Sequence, residues 1–147
     1  MLAVSGDLQL EMGGPALKWE KGFRRRTVYG EVSRFRPERF LTLFDFPDPS
    51  FHAEKRIPTN TSVQRLFFLN SEFMKEESAS LAARVRETAA GDIAAQVRKF
   101  YDLVFGREPE SREMEAALHF LESRPADTAL PEFAQVLLSS SEFSFVD

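Results

Sequence analysis

The 147-residue chain contains no cysteine. That absence excludes disulfides, thiolate metal sites, a cysteine nucleophile and covalent c-type haem attachment within it. No apolar run approaches the ~20 residues needed to span a bilayer. Residues 1–17 lack the basic start and apolar stretch of a signal peptide. Histidine is scarce, with two residues, and neither sits in a recognisable catalytic arrangement. Tryptophan and tyrosine are scarce too, with one and two, whereas phenylalanine supplies 15 residues. At 43% hydrophobic and 29% charged, the composition is that of a folded domain rather than a disordered or collagenous chain. The length suits one domain, able to bury roughly 68–70% of its unfolded surface without covalent staples.

The net charge of −4 hides an asymmetry. Residues 1–65 carry 11 Lys and Arg against 8 Asp and Glu, whereas residues 66–147 carry 8 against 15. The basic excess lies in residues 18–39, including Arg24, Arg25, Arg26, Arg34, Arg36 and Arg39. Such a patch attracts phosphates, acidic glycans or an acidic partner, or else pairs with the acidic half of the same chain. Nothing else resembles a nucleic-acid-binding fold. Residues 1–60 also hold five of the eight prolines and five of the seven glycines, which punctuate helices. This half reads as extended and irregular. Its strand candidates are Arg26–Val32, rich in β-branched and aromatic residues, and the alternating Leu41–Phe46.

Residues 61–147 read as about five helices. Thr61 and Gln64 form a capping box before an apolar turn through Leu69. Asn70 or Ser71 opens a helix whose stripe is Met74, Ser78, Leu81, Ala82 and Val85. Ile93, Val97, Phe100, Tyr101 and Val104 form an amphipathic face, closed by Gly106. Pro109 cannot continue that helix but can open the next, which carries Met114, Ala117, Leu118 and Leu121. Pro131 precedes a last helix with Phe133, Val136 and Leu137. A short echo, Ser71-Glu72-Phe73 and Ser141-Glu142-Phe143, places Phe73 and Phe143 as buried anchors. The fold class expected is mainly α, with residues 1–60 wrapped over the helices of 61–147 as a single compact unit.

These motifs together resemble the C-terminal part of the planctomycete-type domain of unknown function. The resemblance rests on Leu2–Gly6 with Met12–Pro15, Arg25–Tyr29, Phe44–Pro49, Arg56 with Thr59-Asn60-Thr61 and Gln64, Leu69-Asn70 with Phe73, Phe105–Pro109, and Val136–Leu138 with Ser141–Phe143 and the final Val146-Asp147. That domain closes large exported proteins that bear a cytochrome-c-like domain at their N-terminus. The resemblance implies a fragment of an exported parent, with haem elsewhere and no cofactor in this chain, and it passes on no established reaction. The segment from Ile93 to Phe143 is also similar to the helical unit of phycobilisome-linker-like repeats, which are assembly modules with a Gly-Arg-x-Pro turn and a closing Ser-x-Glu-Phe. Where the family has Ser or Thr after the proline of that turn, this chain has Glu110, leaving Ser111 as a substitute cap.

The most distinctive polar cluster is Arg56, Thr59, Asn60, Thr61, Gln64 and Asn70. A helix N-terminus with free amides beside an arginine binds anions. The same residues also serve to cap a turn and satisfy loop backbone, which is the commoner role. Asp45, Asp48, His52 and Glu54 offer metal ligands, but their spacing fits no known metal loop. Ser5 lacks the glycine context of a nucleophile elbow. The reading that follows is a non-catalytic helical interaction module. It would contact other domains of its parent or itself, with exposed phenylalanine as the mark of a missing partner. The rival reading is a domain for a polyanion such as a sulfated glycan, bound by Arg24, Arg25, Arg26, Arg56, Asn60 and Gln64.

Overall fold

Capping chemistry decides where the long helices start. In the computed structural model, which describes residues 1–52, 54–55, 59 and 61–144, the Thr61 N–H donates to Gln64 Oε1 at 2.9 Å. The Gln64 N–H donates back to Thr61 Oγ1 at 3.3 Å, opening α3 (Ser62–Asn70). Ser71 Oγ accepts from the Met74 N–H at 3.2 Å and opens α4 (Glu72–Thr88). Asp92 does the same for the Ala94 N–H at 2.9 Å, starting α5 (Ile93–Phe105). Gly106 ends α5 in the left-handed conformation, φ 69°, a backbone state that glycine enters at no steric cost. Helix α6 (Ser111–Glu122) follows Pro109, and α7 (Ala129–Leu138) carries Pro131 in its first turn, where a proline removes no intrahelical bond. Short helices α1 (Leu2–Ser5), α2 (Arg39–Leu43) and α8 (Ser141–Ser144) complete the set. The protein is mainly helical, and its five long helices are those expected after residue 61.

The first sixty residues are largely irregular, as expected, but the structure does not confirm an extended segment. Neither strand candidate forms. Within Arg26–Val32 the chain makes a single 3-10 turn at Thr27–Tyr29, and Leu41–Phe46 overlaps α2. The alternation of apolar residues in the second segment concealed a helical repeat. Phe40 and Phe44, four apart, meet with ring centroids at 5.1 Å. The Glu38 carbonyl takes both the N–H of Thr42, at 3.0 Å, and its hydroxyl, at 3.1 Å. Among the described residues, ladder pairing is confined to two isolated parallel bridges, Gln9 with Arg25 and Leu17 with Gly30. Leu2–Ser5 is a helical turn as well, closed by Gly6 at φ 93°.

Contacts group the chain into two units: Met1–Asp7 together with the chain from Phe68 onward, and Leu8–Phe67. The first has an apolar core. Helix α4 packs most extensively on α7, and also on α1 and α5, while α6 packs on α5 and α7. Met74, Leu81, Ala82, Val85, Val97, Phe100, Ala134 and Leu138 are fully buried. Phe133 stands edge-on to Phe100, with centroids 5.4 Å apart. Gln135 closes the end of α3 by donating to the Phe68 and Leu69 carbonyls at 3.2 and 2.9 Å. Phe73 and Phe143 are half-buried here rather than buried. Each lies in the first turn of its helix, at the margin of the core.

The unit Leu8–Phe67 is built differently. Among its described residues the buried large apolar side chain is Leu41, beside two buried polar ones, Arg25 and Gln64. Half-buried rings take up the packing. Trp19 meets Phe23 at 4.6 Å and Phe40 at 6.1 Å, and Phe67 meets both Phe40 and Phe44. Trp19 packs against Gly30, where an added Cβ would run into the indole, and its Nε1 donates to the Glu31 carbonyl at 2.8 Å. Phe35 and Phe51 are exposed, at 97% and 78%.

The two construction modes predict different responses. Leu81→Ala should cost about 2–5 kcal/mol in chemical denaturation because the cavity cannot collapse, whereas exposed Val136→Ala should stay within ~0.5 kcal/mol. Gly30→Ala should displace the sole tryptophan and cost about 1–3 kcal/mol. Intrinsic fluorescence at Trp19 should shift red, and an unchanged emission maximum would contradict the packing described.

Candidate functional site

Three polar centres stand out. The first surrounds Arg25, 6% exposed. Its Nη2 donates to the Glu11 carbonyl at 2.9 Å and to the Gly13 carbonyl at 2.7 Å. The guanidinium centre lies 4.0 Å from the Tyr29 ring centroid, a cation–π contact. The Tyr29 hydroxyl in turn accepts the Gly13 N–H at 3.0 Å. Gly13 and Gly14 both have positive φ, 82° and 87°, so the loop curls around the arginine as a residue with a Cβ could not do easily. Arg25 Nε finds no acceptor among the described residues. This arginine organises backbone. Of its neighbours in the sequence, Arg24 is half-buried and Arg26 is exposed.

The second centre is the start of α3. Gln64, also 6% exposed, uses its carbonyl in the capping box, while Nε2 donates to the Leu43 carbonyl at 2.8 Å and reaches Thr59 Oγ1 at 3.2 Å. Asp45 has the positive φ of 57° that aspartate tolerates. Its carboxylate accepts the Thr59 N–H at 2.7 Å and the Thr59 hydroxyl at 2.9 Å, and lies 3.3 Å from Gln64 Nε2. A carboxylate of the protein thus sits where an external anion would bind. Arg56 and Asn60 lie outside the described residues. Asp45, considered above as a metal ligand, is an acceptor for this turn. Among the described residues no three His, Asp or Glu side chains gather as metal ligands do.

The third centre joins the two motifs quoted from the second half. Arg107, of the Gly-Arg-x-Pro turn, forms paired bonds to Glu113 (Nη1 to Oε2 and Nη2 to Oε1, both 2.8 Å). It also bonds Glu142 of the Ser-Glu-Phe closure through Nε at 2.7 Å and Nη2 at 2.8 Å. The guanidinium lies over Tyr101 and Phe105, 5.4 and 5.5 Å from the ring centroids. Glu113 also accepts the Glu110 N–H at 2.7 Å, so Glu110 itself caps α6 in a capping box with Glu113, and Ser111 is the first helical residue rather than the cap. Hydrogen bonding to Arg107 holds the Glu113 carboxyl down at about 2 and lowers Glu142 as well. The same bonds push the Arg107 guanidinium further up, and burial raises the Tyr101 phenol.

Sequence reasoning missed Glu77. It is fully buried on α4 and accepts from Ser5 Oγ at 2.5 Å, while Arg84 takes the Val4 carbonyl at 2.7 Å. The pair fastens α1 to α4. Glu77 adjoins Ser78 in the apolar stripe, and that position was the available signal. A charge there requires a buried partner, which only a segment distant in sequence provides. A hollow of about 130 Å³ in the unit Leu8–Phe67 is walled by Val32, Pro37, Leu41, Phe46 and Pro47 among others, and neither the Arg24–Arg26 run nor Gln64 lines it.

Two outcomes follow. Arg25→Met should leave two carbonyls without a donor and cost about 1–3 kcal/mol, against ~0.5 kcal/mol or less for exposed Arg26→Ala. Denaturation monitored at Trp19 measures both. Glu113 has a depressed folded pKa, so the stability it contributes is present above the ordinary carboxyl value of 4.5 and is lost as pH falls toward about 2. Partial exposure keeps that contribution small. Glu113→Gln should flatten the acid decline of stability between those limits; an unchanged pH profile would contradict the assignment.

No curated protein matches the chain, and no solved structure does. The family model described as PSD1, Protein of unknown function (DUF1553), matches residues 1–121. The match spans α1 to the last turn of α6, and so takes in the Arg25 centre, the start of α3 and the turn that carries Arg107. The chain therefore belongs to this family of proteins of unknown function.

Proposed function

We propose that the chain is a non-catalytic helical interaction module of an exported multidomain protein. The observation that carries the reading is the placement of exposed apolar side chains. Among the described residues, ten of the thirteen exposed large hydrophobic side chains fall within residues 8–67, where little apolar surface is buried. Val63 and Leu66 lie one turn apart on α3, at 62% and 54% exposure. Surface of this kind marks contact with other chains or domains. The polar centres support the same reading, because Arg25 Nη2 and Gln64 Nε2, donors that a polyanion would need, are taken up by the backbone and by Asp45. In this reading the parent is exported and carries a cytochrome-c-like domain elsewhere, as the resemblance in the sequence implies. Haem would belong to that domain, and the other domains of the parent are the natural partners.

The isolated chain should self-associate as concentration rises in sedimentation velocity, and Val63→Ser with Leu66→Ser should suppress it. A monodisperse monomer at every concentration would overturn the reading. Retention on heparin at physiological salt that survives replacement of Arg34 and Arg36 but is lost with Arg24→Ala and Arg26→Ala would favour the polyanion reading instead.

A further inference from the structure

The segment Ser33–Pro37 presents a feature that the interaction module does not require. Phe35 is 97% exposed, the highest value among the exposed large hydrophobic side chains. It sits at a bend between Arg34 and Arg36, both exposed. The bend is pinned, since Ser33 Oγ accepts the Arg36 N–H at 3.3 Å and Pro37 fixes the exit of the chain. Arg25, Arg84, Arg107 and Arg124 each donate to carbonyls or carboxylates of the chain. The guanidiniums of Arg34, Arg36 and the nearby Arg39 make no hydrogen bond or ion pair among the described residues. The surrounding segment 18–39 carries 8 basic residues against 3 acidic ones.

We infer that this tip is a contact point for an anionic lipid surface. The ring requires an apolar medium and the flanking guanidiniums require oxyanions. A membrane interface stacks the two within one thickness, headgroup phosphates above acyl chains. A soluble polyanion offers nothing to Phe35. A protein partner would need a hollow of matching shape, whereas a fluid bilayer accepts any convex tip. The attachment is peripheral, because no helix among the described residues is long and apolar enough to cross a membrane. One aromatic and three cations give a weak and reversible hold, and the salt dependence of electrostatic attraction applies to it.

The test is co-sedimentation of the full chain with vesicles of phosphatidylcholine, with and without phosphatidylglycerol. Binding is expected only to the anionic vesicles and should fall as salt rises. Phe35→Ala should weaken it by about tenfold. Arg34→Ala with Arg36→Ala should weaken it by about thirtyfold. Both variants should keep the parent's far-ultraviolet circular dichroism, since neither alters a buried group. Equal binding to both kinds of vesicle, no binding at low salt, or binding insensitive to both variants would overturn the inference. Concentration-dependent self-association abolished by Phe35→Ala, without vesicle binding, would assign the tip to a second copy of the chain and overturn it equally.

Discussion

The packing of α4 on α7 is the contact on which the larger unit depends. Each helix buries a face, Met74, Leu81, Ala82 and Val85 on one and Ala134 with Leu138 on the other. Ala82 and Ala134 are fully buried among larger neighbours. The other elements of this unit are placed by that pair. Helix α5 sends Phe100 against Phe133 of α7, and α6 adds Phe120 on the same ring at 5.9 Å. The fully buried Glu77 becomes tolerable because Ser5 is brought to it from 72 residues away. A carboxyl group inside an apolar face thus selects the short segment that docks there.

The unit Leu8–Phe67 solves the same problem with other means. Its loops carry backbone donors and acceptors that no helix or sheet uses, and those groups must find partners. Arg25 and Gln64 supply them, each joining two or more loop positions through a single side chain. Aromatic rings then close the gaps between turns. Such an arrangement leaves apolar side chains at the surface, because few regular faces exist to direct them inward. The interaction role we propose would use this construction: the unit orders its backbone through polar knots and leaves apolar groups exposed.

Arg107 shows how two short motifs acquire meaning in the fold. The Gly-Arg-x-Pro turn ends α5, and the Ser-Glu-Phe sequence starts α8. One guanidinium serves a carboxylate from each side, Glu113 at the start of α6 and Glu142 in α8. In sequence the two motifs are separated by the whole of α6 and α7, and each reads as a local cap. Their relation is that of a clasp holding the terminal turn to the α5–α6 corner.

The sequence determined the long helices. Caps at Thr61, Ser71 and Asp92, the stop at Gly106 and the apolar periodicities are local, and local chemistry suffices to position them. Phe100 and Val97 could be named as core for the same reason. The tertiary structure alone decided the remainder. Leu41–Phe46 reads equally as alternation or as one helical turn, and the stacking of Phe40, Phe44 and Phe67 selects the turn. Arg24, Arg25 and Arg26 are indistinguishable as a run of charge, yet Arg25 is buried against the curled Gly13-Gly14 loop and Arg26 faces solvent. Glu77, Arg107 and Glu142 took their roles from partners distant in sequence. Charge and hydrogen-bonding capacity are written in each residue, but the partner that satisfies them is a property of the folded chain.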